Sequence, residues 1–298
     1  MGSLKEIRNR VRSVTNTQKI THAMKLVAAA RLRRAQDAAE ASRPYAERMR
    51  NVIGTLASSV DPSYSPLFRK EAQASRTLII LLSSDRGLCG GFNSTLFRRT
   101  MDFMKRNGEL LGEVEFAWVG RKGSDFVRRE NLNRMDGWET KPALPSIELA
   151  RAITAAAVGG FVAGDFDRVY FAYNQFESAL TQTPIFEQLL PLDPSAFGAV
   201  EDDASEGAVQ AGPDYIYEPS REALLDVLLP QFLDTRAYAS LLESQASELG
   251  ARMTAMDSAT NNAKDLIESL TLQLNRARQA MITTELSEIT AGSEALKG

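Results

Sequence analysis

Cysteine occurs once in these 298 residues, at Cys89, and histidine once, at His22. A single thiol excludes an intrachain disulfide, a CxxC redox pair and a thiolate zinc site, and a single imidazole excludes a multi-histidine metal centre. Long apolar runs are missing as well. Nothing approaches the roughly eighteen consecutive apolar residues that a membrane-spanning helix needs. The opening MGSLKEIRNR is charged from Lys5 onward and has no apolar stretch behind it, so neither a secretory signal nor a transit peptide is expected. Helix breakers are scarce at both ends: the first proline is Pro44, no glycine lies between Gly2 and Gly54, and Gly250 stands alone between Gly212 and Gly292.

The charge that is present is unevenly placed. Residues 1–56 hold twelve Lys and Arg against four Asp and Glu, a net of +8. Residues 219–298 hold seven against eleven, a net of −4, so that with −3 overall the middle carries −7. A basic arm on an otherwise acidic chain points to an acidic partner surface, whether protein, nucleic acid or lipid headgroup.

That arm reads as helix. Ser3 and Glu6 have the spacing of a capping box, and Leu4, Ile7, Val11 and Val14 follow at 3-4-3 intervals. The alternation continues through Thr17, Thr21, Met24, Ala28, Arg31, Ala35, Ala38, Ser42, Tyr45, Met49, Val52 and Leu56, a heptad-like seam with small residues in its middle. Such a helix would be roughly 80 Å long, and Pro44 is expected to kink it or divide it. At the other end Pro219 suits a first helical turn and Pro230 marks a kink or restart. A second seam runs from Leu242 through Ala246, Leu249, Met253, Met256, Thr260, Ala263, Ile267, Leu270, Leu274 and Ala277 to Met281. A 3.5-residue period held this long predicts a left-handed supercoil, with the other terminal helix of the same chain as partner.

Between the ends the pattern changes. TLIILL at 77–82, VEFAWV at 114–119 and RVYFAY at 168–173 are short apolar runs, with a weaker one at 184–190. Helical patterns at about 94–106, 121–131 and 146–162 separate them, which predicts a parallel sheet with helices on its faces. The fold class is therefore α/β: a Rossmann-like domain over 75–193 with a mostly parallel sheet, plus a long antiparallel coiled coil of the terminal helices. The coil is expected over 1–58 and 214–298, and the Gly-, Ala- and Ser-rich acidic stretch at 194–213 as a flexible loop.

Candidate chemistry is sparse. SSDRGLCGGFN, residues 83–93, stands where nucleotide-binding loops stand, yet Gly87, Gly90 and Gly91 match neither GxGxxG nor GxxxxGK[ST]. A tight strand-to-helix turn needing positive φ is the plainer reading. Cys89 has no histidine nearby in sequence and reads as a buried thiol. Asp85 and Arg86 read as a solvated or capping pair. The basic run Lys19, Lys25, Arg31, Arg33 and Arg34 is the best functional signal in the composition. It lacks the interleaved aromatics of a nucleic-acid arm and the wide apolar face of a membrane-surface helix. A protein sleeve with acidic loops accounts for it best.

Ile7-Arg8, NTQKIT (16–21), AMKLVAAARLRRAQ (23–36), SSDRGLCGGFN, YIYEPS (215–220), ARMTAMDSATNNA (251–263) and NRARQAMITTELSEI (275–289) resemble the gamma subunits of F-type ATP synthases, in order and over essentially the whole chain. The resemblance implies a rotor shaft. It would be a non-catalytic subunit, without cofactor, whose coiled coil turns inside a ring of alpha and beta subunits and whose α/β foot sits beside epsilon and the c ring. One copy per complex is implied, with no nucleic acid and with the membrane reached only through the c ring. The resemblance places Met24, Lys25, Arg31, Arg33, Arg34 and Arg252 against the alpha/beta ring. It makes Arg278 and Gln279 a catch for a beta-subunit loop, with Thr283 and Glu285 beside it. Tyr215, Tyr217 and Glu218 would face the c ring and epsilon. The single cysteine departs from the chloroplast pattern of a regulatory cysteine pair, so a bacterial protein at the cytoplasmic face of the plasma (inner) membrane is expected. The rival reading is a nucleotide- or phosphate-binding α/β enzyme with a coiled-coil dimerisation arm.

Overall fold

The structure, a computed structural model, describes residues 4–57, 60–61, 64–69, 75–139, 145–193, 197, 218 and 220–295. In chain order its elements are α1 (Leu4–Ala57), β1 (Arg76–Leu82), α2 (Phe92–Arg106), α3 (Gly108–Leu111), β2 (Glu113–Val119), α4 (Arg121–Arg129), α5 (Ile147–Ala163), β3 (Arg168–Phe176), β4 (Gln182–Leu190) and α6 (Arg221–Ala295). The chain divides into two compact units, residues 1–29 with 252–298 and residues 30–251.

In the larger unit the four strands run in the order β2-β1-β3-β4. β1 pairs in parallel with β2 and with β3, and β4 closes the sheet antiparallel to β3. All four strands form where apolar runs were read; the central β1 and β3 are buried over most of their length and carry apolar side chains on both faces, while the outer β2 and β4 are only partly buried. The free side of β2 is covered rather than open. Residues 133–138 lie along it, with Met135 donating its N–H to the carbonyl of Phe116 at 2.8 Å and Trp138 to that of Trp118 at 2.8 Å.

Two cores sandwich the sheet. One holds Leu78, Ile80, Leu82, Val169 and Phe171 against α5 and against Met49, Ile53 and Leu56 of α1 and Leu225, Leu229 and Leu233 of α6. The other holds Ile79, Leu81, Phe116 and Tyr170 under α2 and α4. Neither proline divides its terminal helix. Pro44 lies inside α1 and Pro230 inside α6. Each removes one main-chain hydrogen bond; Leu225, Leu229, Phe232 and Leu233 around Pro230, and Met49, Ile53 and Leu56 beyond Pro44, are held in one core, so packing supports both helices.

The seam of α1 is buried at Thr21, Ala28, Ala35, Met49 and Leu56, while Arg31, Tyr45 and Val52 are exposed. Leu32 and Ile53 take the inward positions instead. The spacing between sevens is therefore four-then-three, because a Leu and an Ile one residue on gain more from burial than Arg31 or Val52 would. The second seam holds from Ala246 to Leu270 and fades beyond, Met281 being exposed.

Among the described residues no helix is long and apolar enough to cross a membrane, and no group of three His, Cys, Asp or Glu is placed to hold a metal. Ser3, Pro219, Tyr215 and Tyr217 lie outside the described residues. So does the segment 194–213, except Phe197, which is buried edge-on against Phe232 at 5.1 Å.

Candidate partner interface

In the smaller unit the two helices are joined by specific bonds on successive turns. The hydroxyls of Thr21 and Thr260 share a hydrogen bond of 2.8 Å, and Lys25 Nζ donates to Asp257 Oδ1 at 2.6 Å. A rise of four residues on α1 meets a fall of three on α6, so the helices are antiparallel. Carried along, that register sets Leu4 beside about Ala277, and α6 continues past it to Ala295 with no α1 residue opposite. Beyond that point Met281, Ile282, Leu286 and Ile289 are exposed, large apolar side chains unusual for a solvated helix.

The residues expected to meet a partner divide by environment. Arg278, Gln279, Thr283 and Glu285 are all exposed on the unpaired stretch of α6, and the Thr283 hydroxyl donates back to the carbonyl of Gln279 at 2.9 Å. Arg252 and Met24 are half-buried. Lys25 is also half-buried, and its ammonium is engaged by Asp257, a within-chain role that its place in a basic run did not disclose. Thr21 and Thr260 were both legible as seam positions; the bond between them was not. In the larger unit Arg31, Arg33 and Arg34 are exposed along α1, while Leu32 between them is buried. Glu218 is exposed.

The turn after β1 is filled by its own side chains. Asn93 Oδ1 accepts from the Ser84 N–H at 3.1 Å, Asn93 Nδ2 donates to Ser84 Oγ at 2.7 Å, and Ser84 Oγ donates to the Arg86 carbonyl at 2.8 Å. The positive φ expected of a glycine is shared by Leu88 at 64° and Gly90 at 55°. Cys89 is buried against Phe92 and Ala251. Asp85 Oδ1 accepts the N–H of Arg121 at 3.0 Å, capping the start of α4.

α6 is stitched across the carboxyl ends of the strands. Ser244 donates to the carbonyl of Leu82 at 3.3 Å, Ser247 to that of Asn174 at 2.7 Å, and Glu243 accepts the N–H of Phe176 at 3.0 Å. Gly250 explains itself here, since a β-carbon would come within 3.0 Å of the Phe176 ring and 3.3 Å of Ala179 Cα. Two turns earlier on α6, Arg236 donates from Nε to Glu187 of β4 at 2.6 Å, and Glu187 also accepts from the Tyr173 hydroxyl at 2.9 Å. Burial, then the nearby Glu187 carboxylate, pushes the Tyr173 phenol well above the ordinary tyrosine range.

A sequence profile of the ATP synthase family matches residues 3–296. The ATP synthase gamma chain of Geobacter sp. (strain M21) is 48% identical over 298 residues, and that of Geotalea uraniireducens (strain Rf4) 45%, each alignment covering 100% of both chains. The chain belongs to the ATP synthase gamma chain family. Among solved structures it is similar to a central stalk and c-ring chain of the Tetrahymena thermophila mitochondrial ATP synthase, at 25% identity and a TM-score of 0.58 over 80% of this chain and 99% of that one. A rotor chain of the Euglena gracilis mitochondrial enzyme shares the fold, at 16% identity and a TM-score of 0.65 over 94% and 98%. Relatives of this family are subunits of a membrane-bound complex rather than free-standing enzymes, and the rival reading of a nucleotide-binding enzyme falls with that membership.

Proposed function

We propose that this chain is the central shaft of the rotor of a bacterial F-type ATP synthase, coupling ion-driven rotation of a c ring to ATP synthesis and hydrolysis at beta-subunit sites. It is a non-catalytic subunit. The observation that carries the reading is the unpaired stretch of α6: exposed apolar side chains and Arg278 extend past the first turn of α1, as a shaft tip turning in an apolar sleeve requires. The small hydroxyl and methyl side chains of ITTELSEITAGSEA keep that sleeve slippery, because many deep contacts would trap one angle.

In this reading Met24, Lys25, Arg31, Arg33, Arg34 and Arg252 face the alpha/beta ring, and Arg278 and Gln279 form the catch, with Thr283 and Glu285 beside it. Tyr215, Tyr217 and Glu218 face the c ring and epsilon. The terminal segments 1–58 and 214–298 form the shaft, and 75–193 the foot. One copy serves each complex, held peripherally at the cytoplasmic face of the plasma membrane through the c ring, without cofactor or nucleic acid.

Reconstitution tests it. The purified chain is mixed with cognate alpha and beta subunits, and native mass and ATPase activity are read. One copy per three alpha and three beta, with sustained ATPase that neither fraction shows alone, is expected. Failure to assemble, with ligand binding or ATPase in the chain itself, would overturn it.

A further inference from the structure

Two nine-residue stretches of the larger unit share one pattern, RRTMDFMKR over residues 98–106 and RKGSDFVRR over 121–129. Each begins and ends on a pair of cations and sets Asp then Phe in its middle. At roughly 100° per residue, the cation pairs and the aspartate fall within about a third of the helix circumference, and the phenylalanine lies just outside that arc, about 40° past one edge. The first stretch ends α2 and the second is the whole of α4. Both helices cover the same core. Phe103 stacks on Phe186 at 4.2 Å and Phe126 on Phe97 at 4.3 Å, the latter joining α4 to α2.

With those rings inward, the cations face out. Arg98, Arg99, Lys105 and Arg106 are exposed on α2. On α4 Arg121, Arg128 and Arg129 are exposed and Lys122 is half-buried. Among the described residues only two of these eight are ion-paired, Lys122 to Asp125 at 3.4 Å and Arg129 to Glu130 at 3.0 Å. The middle of the chain is net acidic, yet this face holds eight cations against Asp102, Asp125 and the neighbouring Glu130. Like charges gathered in this way repel one another.

We propose that the outer face of α2 and α4 binds anionic phospholipid headgroups. Six of the eight cations are arginine, whose planar fork matches phosphate oxygens. No large apolar side chain is exposed on either helix, so the face lacks the desolvated anchors on which stable protein interfaces depend. Attraction to a charged bilayer surface needs only the cations, and its diffuse character leaves the chain free to turn. The proposal rests on the rotor reading only for bringing the chain near a bilayer.

The test is co-sedimentation of the full chain with phosphatidylcholine vesicles and with vesicles that also contain phosphatidylglycerol, at physiological salt. One variant neutralises the α2 cations (R98Q, R99Q, K105Q and R106Q together). A control removes the same charge from the exposed start of α1 (K5Q, R8Q, R10Q and R12Q). Binding only to phosphatidylglycerol vesicles is expected, weakened at least about tenfold in the α2 variant and several-fold less in the control. D102N with D125N should strengthen it. No binding by the wild-type chain, or equal losses in variant and control, would overturn the proposal. So would unchanged vesicle binding in an α2 variant that no longer assembles with its partner subunits, which would assign the face to an acidic protein. Native mass of the wild-type assembly is read separately, so failure of the rotor reading is told apart from failure of this one.

Discussion

Glu187 joins three elements through one carboxylate, accepting from Arg236 of α6 and from Tyr173 of β3 while lying on β4. Replacing it by alanine strands a half-buried guanidinium and a buried hydroxyl, and a loss of about 2–4 kcal/mol in urea unfolding is expected. The same cluster fixes an alkaline limit. The folded-state pKa of Tyr173 is raised, so the unfolded chain releases this proton first. Its contribution is fully present below about pH 10 and is lost as pH rises from there toward the folded value. Thermal midpoints measured from pH 8 to 11 should fall less steeply for Tyr173→Phe than for the wild-type chain. Lys25 and Asp257 make an equally short contact of 2.6 Å, but their side chains stay 35% and 46% exposed. A double-mutant cycle should therefore return less than about 1 kcal/mol of coupling.

At the scale of elements, α1 makes one close approach at a glycine. A β-carbon at Gly54 would lie 2.4 Å from the carbonyl oxygen of Phe197, so Gly54→Ala must displace backbone and should cost about 1–3 kcal/mol by urea denaturation. This also marks where the sequence was readable. The strands at 77–82, 114–119 and 168–173 were legible because burial on both faces demands unbroken apolar runs. The terminal helices were legible from their period. The choice of Leu32 over Arg31 was not, since four-then-three and three-then-four spacings share every seventh residue and only packing separates them. The cover along β2 was invisible because residues 133–138 act through main-chain hydrogen bonds that leave no side-chain pattern. Gly250 could be seen as a lone glycine, but its reason, the ring of Phe176, comes from a strand some seventy residues earlier. The interface residues came from family resemblance, because a surface that fits another chain has no period of its own.

For the whole molecule, the reading as a shaft predicts a division of effects. Arg278→Ala removes an exposed cation with no ion pair among the described residues, so thermal stability of the free chain should hold within about 0.5 kcal/mol. Coupled synthesis and hydrolysis in the assembled complex should drop several-fold, and wild-type rates there would remove Arg278 from the catch. The smaller unit carries a further mechanical consequence. Its helices run side by side up to about Ala277, after which α6 goes on alone to Ala295. Resistance of a rod to twisting rises steeply with its thickness, so the step from two strands to one is a step in compliance. Twist applied along this unit collects in the single strand, which winds and unwinds like a spring while the paired portion turns nearly as one piece.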